Sequence, residues 1–342
     1  MRRWKGYEHG VNFGGWLSQC DHTIERYEKF ITEEDVKQVA AWGLDHVRVP
    51  IDYNLLEDDQ GTPTDYGYKY IDRAVEWCGR YGLNMILDLH ATYGFSFDAG
   101  EENNSFFASK ECQDRFYRLW EALAKRYGNV GDRLAFELLN EVTDKEYCDI
   151  WNEIAGECIK RVRAIAPDVY IIIGGYHNNC IEALPDLRMP DDERIVYTFH
   201  FYEPLIFTHQ GAYWIPGMDT SFRMKITDTY GQMTQYTKEQ LSQVSIGFSK
   251  YDPDATLDVT YFENAFKEAV ELAEERNVPL YCGEHGVIDR VDAEDTLGWY
   301  RIASEAFNKF SIGRAAWSYK EMDFGLTDDH MASVLPEVLK CL

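Results

Sequence analysis

The chain has 342 residues, of which 45% are hydrophobic, 15% aromatic and 27% charged, a globular composition that excludes a disordered or fibrous protein. Its net charge of −25 repels phosphate backbones and anionic lipid, so no nucleic acid and no membrane surface is expected as a partner, and a neutral, cationic or small-molecule ligand is. No run of about 18 apolar residues is present to span a bilayer. The start, Met1-Arg2-Arg3-Trp4-Lys5, lacks the apolar stretch of a signal peptide, so a cytoplasmic location is expected, or a secreted one if a leader has been removed.

Eight short aliphatic runs appear in chain order: Gly10–Gly15, Leu44–Pro50, Leu83–His90, Leu134–Asn140, Val169–Ile173, Ile195–His200, Pro279–Gly283 and Ile312–Trp317. Runs this dense in aliphatics read as strands buried on both faces. Helical periodicity separates them. Thr32 opens one helix, with Asp35 three residues on as a weak capping box and Val36, Val39 and Ala40 as its apolar stripe. Further helices are expected over Tyr66–Arg80, Cys112–Tyr127, Lys145–Ala164, Tyr261–Arg276 and Ala293–Phe307, a weak one around Asn179–Leu184 and a short last one around Ser333–Leu339.

Eight strands alternating with helices predict a single α/β domain over 1–342, a (β/α)8 TIM barrel rather than an open sheet. The interval between strands six and seven is about twice the others. A subdomain inserted between strand 6 and helix 6, at about 204–256, accounts for it. Its aromatics include Tyr213, Trp214, Tyr230 and Tyr251. The eight cysteines form no C-x-x-C pair and read as reduced, buried thiols.

In such barrels the chemistry sits at the C-terminal ends of the strands. The polar and aromatic residues there are Arg48, His90, Asn140, Glu141, His200, Tyr202, Glu284 and Trp317. Glu141 and Glu284, from strands four and seven, can face each other across the barrel axis. Glycoside hydrolysis needs such a pair, one carboxyl protonated for the leaving group and one ionised to attack. Arg48 suits the task of holding a carboxylate ionised, Asn140 that of donating to a sugar hydroxyl, and Trp317 offers a ring for stacking.

These motifs resemble those of glycoside hydrolase family 5, the cellulase family in the retaining clan of barrel glycosidases. The matching pieces are NFGGW at Asn12–Trp16, HVRVP at His46–Pro50, DLH at Asp88–His90, LLNE at Leu138–Glu141, HFYEP at His200–Pro204, GEHG at Gly283–Gly286 and AWSY at Ala316–Tyr319. They fall in the family's order over nearly the whole chain. The long segment after strand six resembles that of compact clostridial and ruminal endoglucanases. The resemblance implies Glu141 as acid/base and Glu284 as nucleophile. It implies that Arg48, His90, Asn140, His200, Tyr202 and Trp317 line the subsite where the bond breaks. Trp16, Tyr93 and Trp214 are candidates for further sugar subsites.

The expected activity is a retaining endo-β-1,4-glucanase acting on soluble or amorphous β-glucan. Mixed-linkage β-glucanase and β-mannanase are its neighbours within the family. No cofactor is expected. No metal is expected either, because His90 and His200 show no third ligand in the sequence. Two other classes compete. A non-catalytic sugar-binding barrel would lack one carboxylate, and both are present. A Schiff-base or metal-dependent barrel enzyme needs a lysine or a metal cluster at a strand end, and none of the eight ends carries a lysine. The rival carboxylate is Glu137. Strand period two puts it on the face of Glu141 but deeper in the barrel, where it is expected to pair with a buried base such as Arg48.

Overall fold

The computed structural model describes residues 1–98, 103–241 and 247–342. Eight parallel strands close into a barrel in sequence order: β1 (His9–Asn12), β2 (His46–Asp52), β3 (Asn84–Ala91), β4 (Leu134–Glu137), β5 (Tyr170–Ile173), β6 (Ile195–Phe201), β7 (Leu280–His285) and β8 (Gly313–Ala316). The ring shuts where His9 and Gly10 pair with Arg314 and Ala315. Every residue of β2, β6 and β7 is buried, which is why these runs read as continuous apolar stretches rather than alternating ones.

All eight expected strands are present, with ends shifted by a few residues. β4 stops at Glu137, three residues before the expected end. Beyond it the Asn140 N–H still donates to the Leu89 carbonyl at 3.0 Å, while Glu141 turns into the left-handed region at φ 44°. β1 is shorter than expected because the glycines after Asn12 leave the ladder for a turn, with Gly15 at φ 72°.

The major helices cover Glu33–Ala41, Tyr68–Tyr81, Lys110–Tyr127, Cys148–Ile165, Val259–Glu275 and Ala293–Phe310, outside the barrel. The Asp35 carboxylate accepts from the Thr32 backbone N–H at 2.7 Å and closes the expected capping box. The weak fifth helix is a 3-10 turn, Ile181–Asp186, which Pro185 keeps from lengthening. The helix Ile24–Lys29 has no counterpart among the expected ones; its turn is started by the Thr23 side chain.

Inside the barrel the residues are layered. The floor is apolar: Ile86, Ala135, Ile172, Val196 and Ala315 pack with Tyr281 and with Trp4 and Tyr7 from the chain start, whose rings stack at 4.0 Å. One period-two step up β3 and β4 the side chains become charged, Ile86 giving way to Asp88 and Ala135 to Glu137, both fully buried. The site therefore rests on a filled barrel, not on a pore.

Between β6 and the helix Val259–Glu275 the chain forms two short helices, Leu205–Thr208 and Tyr230–Gln240. Tyr230 stacks on Tyr251 at 4.6 Å, and Tyr261 of the following helix joins them. These rings are the core of the inserted segment. All eight cysteines are free thiols. Cys20, Cys148 and Cys180 are only half-buried, so the expectation of buried thiols holds for the other five.

Trp16 does not reach a sugar site. It is fully buried, its indole N–H donates to the Tyr27 carbonyl at 3.0 Å, and its ring lies against Trp77. Tyr93 is half-buried and does not line the cavity at the barrel mouth; the Arg115 guanidinium lies over its ring, 3.5 Å from the centroid. Both lie in loops with no periodicity to show which way a side chain points. Trp16→Ala is expected to lower stability by about 3–5 kcal/mol in urea unfolding, the range for truncating a buried aromatic, and to leave the KM for soluble substrate unchanged. A raised KM at unaltered stability would return Trp16 to the binding surface.

Candidate active site

Arg48 stands at the centre of the barrel mouth and is fully buried. Its Nε and Nη2 donate to the two oxygens of Glu137 at 2.8 and 3.0 Å. Nη1 donates to Glu284 Oε1 at 2.8 Å and to Asn12 Oδ1 at 3.0 Å. Nη2 also reaches Asn140 Oδ1 at 2.8 Å and lies 3.0 Å from Asp88 Oδ2. Burial alone opposes its charge, but Asp88, Glu137 and Glu284 together hold it well above the usual arginine range. Glu137 is thus committed to Arg48, as its place deeper in the barrel than Glu141 leads one to expect.

Glu284 comes from β7 through a register shift. Phe199 pairs with Cys282, but His200 pairs with Glu284, so Gly283 is the extra residue of a bulge that turns Glu284 into the mouth. A Cβ on Gly283 would stand 3.0 Å from both His200 Nε2 and Thr198 Oγ1, so glycine here makes room for the His200 ring. The Tyr202 hydroxyl donates to Glu284 Oε2 at 2.8 Å. Both oxygens of Glu284 are therefore met by donors, one of them cationic.

Glu141 sits in a different environment. Asn178 Nδ2 donates to its Oε2 at 3.0 Å, and Oε1 lies 2.6 Å from His200 Nδ1. Asn179 Nδ2 approaches His200 Nε2 at 3.3 Å, which leaves the ring proton on Nδ1, pointing at Glu141. Burial lowers His200 to about 4 and so keeps it neutral near pH 7. Burial raises Glu141 from 4.5 to about 7, against the pull of the Asn178 hydrogen bond. The two carboxylates have been given opposite surroundings, one cation-bound and one desolvated.

One oxygen of Glu141, one of Glu284 and a ring nitrogen of His200 all lie within 4.8 Å of one another. This corrects the expectation that no third ligand stands near His200: two carboxylates do. Both carboxylates already have protein partners, Glu284 in Arg48 at 2.8 Å and Glu141 in Asn178 at 3.0 Å.

His90 completes the far wall. Its Nδ1 lies 2.7 Å from Asp88 Oδ2, its ring is parallel to Trp317 with centroids 5.6 Å apart, and burial lowers it to about 4. Asn140 keeps its Nδ2 without a protein partner among the described residues, although it is buried. His90, Glu141, His200, Tyr202, Trp214, Glu284 and Trp317 all line one cavity of about 1330 Å³, and Arg48 and Asn140 lie directly beneath it.

The chain from residue 4 to 323 matches the family model described as "Cellulase (glycosyl hydrolase family 5)". The chain belongs to glycosyl hydrolase family 5. It is 47% identical over 314 residues to Cellodextrinase A of Ruminococcus flavefaciens, covering 92% of this chain and 86% of that protein. It is 36% identical over 340 residues to Endoglucanase C of Acetivibrio thermocellus, covering 98% of each. Among solved structures, Thermotoga maritima Cel5A in complex with mannotriose superposes with a TM-score of 0.78 at 24% identity over the whole of both chains, a likeness of fold.

Several residues of this family 5 site are not evident from strand ends alone. Asn12 and Asp88 lie within NFGGW and DLH but one step below the mouth. Asn178 and Asn179 follow β5 in the left-handed conformation, at φ 56° and 57°. An asparagine doublet just after a strand is the signal that finds them, since asparagine tolerates that region best among residues with a Cβ.

Glu141 also couples the site to stability. A carboxyl at about 7 in the fold against 4.5 in the free chain stabilises the protein fully below pH 4.5, and about 3 kcal/mol of that is lost as pH rises through 7. Glu141→Gln escapes this titration. Its stability relative to wild type, from urea unfolding at pH 4.5, 6 and 8, is expected to rise by about that amount and then level. A difference independent of pH would contradict the desolvated environment of Glu141.

Proposed function

We propose that this family 5 glycoside hydrolase is a retaining endo-β-1,4-glucanase that cleaves internal bonds of soluble or amorphous β-glucan. The observation that carries the mechanism is the close pair Glu141 and Glu284, with nearest oxygens no more than 4.8 Å apart. Retaining sites keep their carboxyl groups about 5–5.5 Å apart, whereas inverting sites leave about 6.5–9.5 Å for a water. The names of the two relatives, a cellodextrinase and an endoglucanase, support the substrate class.

Glu284 attacks the anomeric carbon as Glu141 gives its proton to the leaving oxygen, and a glycosyl ester forms on Glu284. Glu141, now a base, takes a proton from water, whose oxygen attacks the same carbon and releases Glu284. Arg48 and Tyr202 each donate a hydrogen bond to Glu284 and hold its carboxylate in place for attack. His200 and Asn178 occupy one lone pair on each oxygen of Glu141, which leaves one open position on each for the mobile proton. Asn140 offers its unpartnered amide N–H to a sugar hydroxyl, and Trp317 offers its ring face. His90 aligns that ring. The inserted segment walls the leaving side, with Trp214 as a platform between His209 and Phe324.

Reducing-sugar release measured in parallel on carboxymethylcellulose, barley β-glucan, xylan and mannan tests the substrate class. Greatest release from xylan or mannan would overturn it.

The roles separate by rescue. Glu141→Ala is expected to lose nearly all hydrolysis of cellulose chains, yet to form the ester from an aryl glycoside with a good leaving group. Azide, which needs no base, then yields the β-glycosyl azide. Glu284→Ala fails on both substrates, and azide displaces directly to give the α-azide. An α-azide from Glu141→Ala would reverse the assignment. Wild type should release the β anomer first by proton NMR.

The acid must be protonated to act, so kcat/KM is expected to fall tenfold per pH unit above about pH 7, where Glu141 titrates. In Glu141→Ala acting on an activated aryl glycoside this limb should vanish. Its persistence would assign the limb to another group.

A further inference from the structure

The residues lining the cavity fall into two groups by their contacts. Asn178 donates to Glu141 at 3.0 Å. His90, parallel to Trp317, is joined through Gln19 to Asp98, and this second group is taken as one arm of the cleft. An acid belongs on the side of its leaving group, and Glu141 bonds the first group, so the arm of His90 and Asp98 is read as the one for sugars on the non-reducing side of the cleaved bond.

The end of that arm is built. Gln19 is held at φ 48°, with its backbone N–H donating to the buried Asp52 carboxylate at 3.3 Å, and Asp52 in turn accepts from Ser18 at 2.8 Å. The Gln19 side chain crosses the cleft wall. Its Nε2 donates to Asp98 Oδ1 at 2.8 Å, and its Oε1 lies 3.3 Å from His90 Nε2. Ser96 Oγ donates to Asp98 Oδ2 at 3.1 Å. Asp98 is thus fixed through both oxygens. A carboxylate has about four acceptor positions, and among the described residues Gln19 and Ser96 fill two of them. Among the described residues no cation pairs with Asp98. The other aspartate of the cavity, Asp323, has Arg290 at 3.2 Å.

We propose that Asp98, fixed by Gln19 and Ser96, grips the second sugar on the non-reducing side by accepting hydrogen bonds from its hydroxyls, and so selects neutral, hydroxyl-rich chains over acidic ones. This rests on the proposed glycosidase reading. A locked, half-buried carboxylate with no counter-cation among the described residues is met best by hydroxyl donors, and it disfavours a uronic acid. Gln19 links that grip to His90, so the second sugar and the wall of the cleaved subsite are set by one hydrogen-bonded chain.

An aryl β-cellobioside places two sugars in this arm and an aryl β-glucoside only one. The ratio of kcat/KM for the first over the second is the readout, in wild type, Asp98→Asn and Asp98→Ala. A hydrogen bond to a charged group supports a loss of about 10- to 100-fold. That loss is expected in the ratio for Asp98→Ala, mainly through the KM of the cellobioside, with Asp98→Asn between the two. Thermal midpoints of all three separate grip from folding. A ratio that stays at the wild-type value in both variants, or losses equal on both substrates, would overturn the proposal. Wild type turning over neither aryl glycoside would instead overturn the glycosidase reading.

Discussion

A single guanidinium organises the barrel mouth. Arg48 is fully buried among Asp88, Glu137 and Glu284, and every one of those acids would be an intolerable buried charge without it. Its fork geometry matters as much as its charge. One edge is spent on Glu137 bidentately, and the other corner is left to reach Glu284 and Asn12. A lysine would supply the charge but not this fixed division. The cluster carries one cation for three carboxylates, so the interior of the mouth is itself electron-rich, and an oxocarbenium-like sugar is the species it is suited to stabilise.

Around this cation the two proposed catalytic carboxyls differ by neighbourhood rather than by residue type. Glu284 takes its hydrogen bonds from Arg48 and Tyr202. Glu141 is shielded from water, faces a neutral histidine and is pushed up to about 7. The bulge at Gly283 and the left-handed turn at Glu141 are the two backbone irregularities that bring the side chains together. A regular barrel would leave both one residue out of place.

The strands were legible because a barrel strand is buried on both faces, and few folds besides a closed barrel use eight aliphatic runs at near-regular spacing. Glu137 was legible for the same reason: period two assigned it a depth, and depth assigned it a partner. The limits follow the same physics. The expected strand ran on to Asn140, yet the regular strand stops at Glu137, and beyond it only single bonds from Leu138 to Ile172 and from Asn140 to Leu89 remain. Trp16 and Tyr93 sit in loops, where no period tells inside from outside, and neither lines the cavity. Asn178, Gln19 and Asp98 lie in loops too, and their positions emerge only once the chain has folded.

The filled floor of the barrel has a consequence for the order of events. Trp4, Tyr7 and Tyr281 close the end opposite the site with apolar rings, so the mouth is a blind recess. In the proposed mechanism the water that resolves the ester arrives through the opening that the departing chain occupies. Departure and hydration are then consecutive uses of one doorway, and the ester stays dry for as long as the cut end lingers.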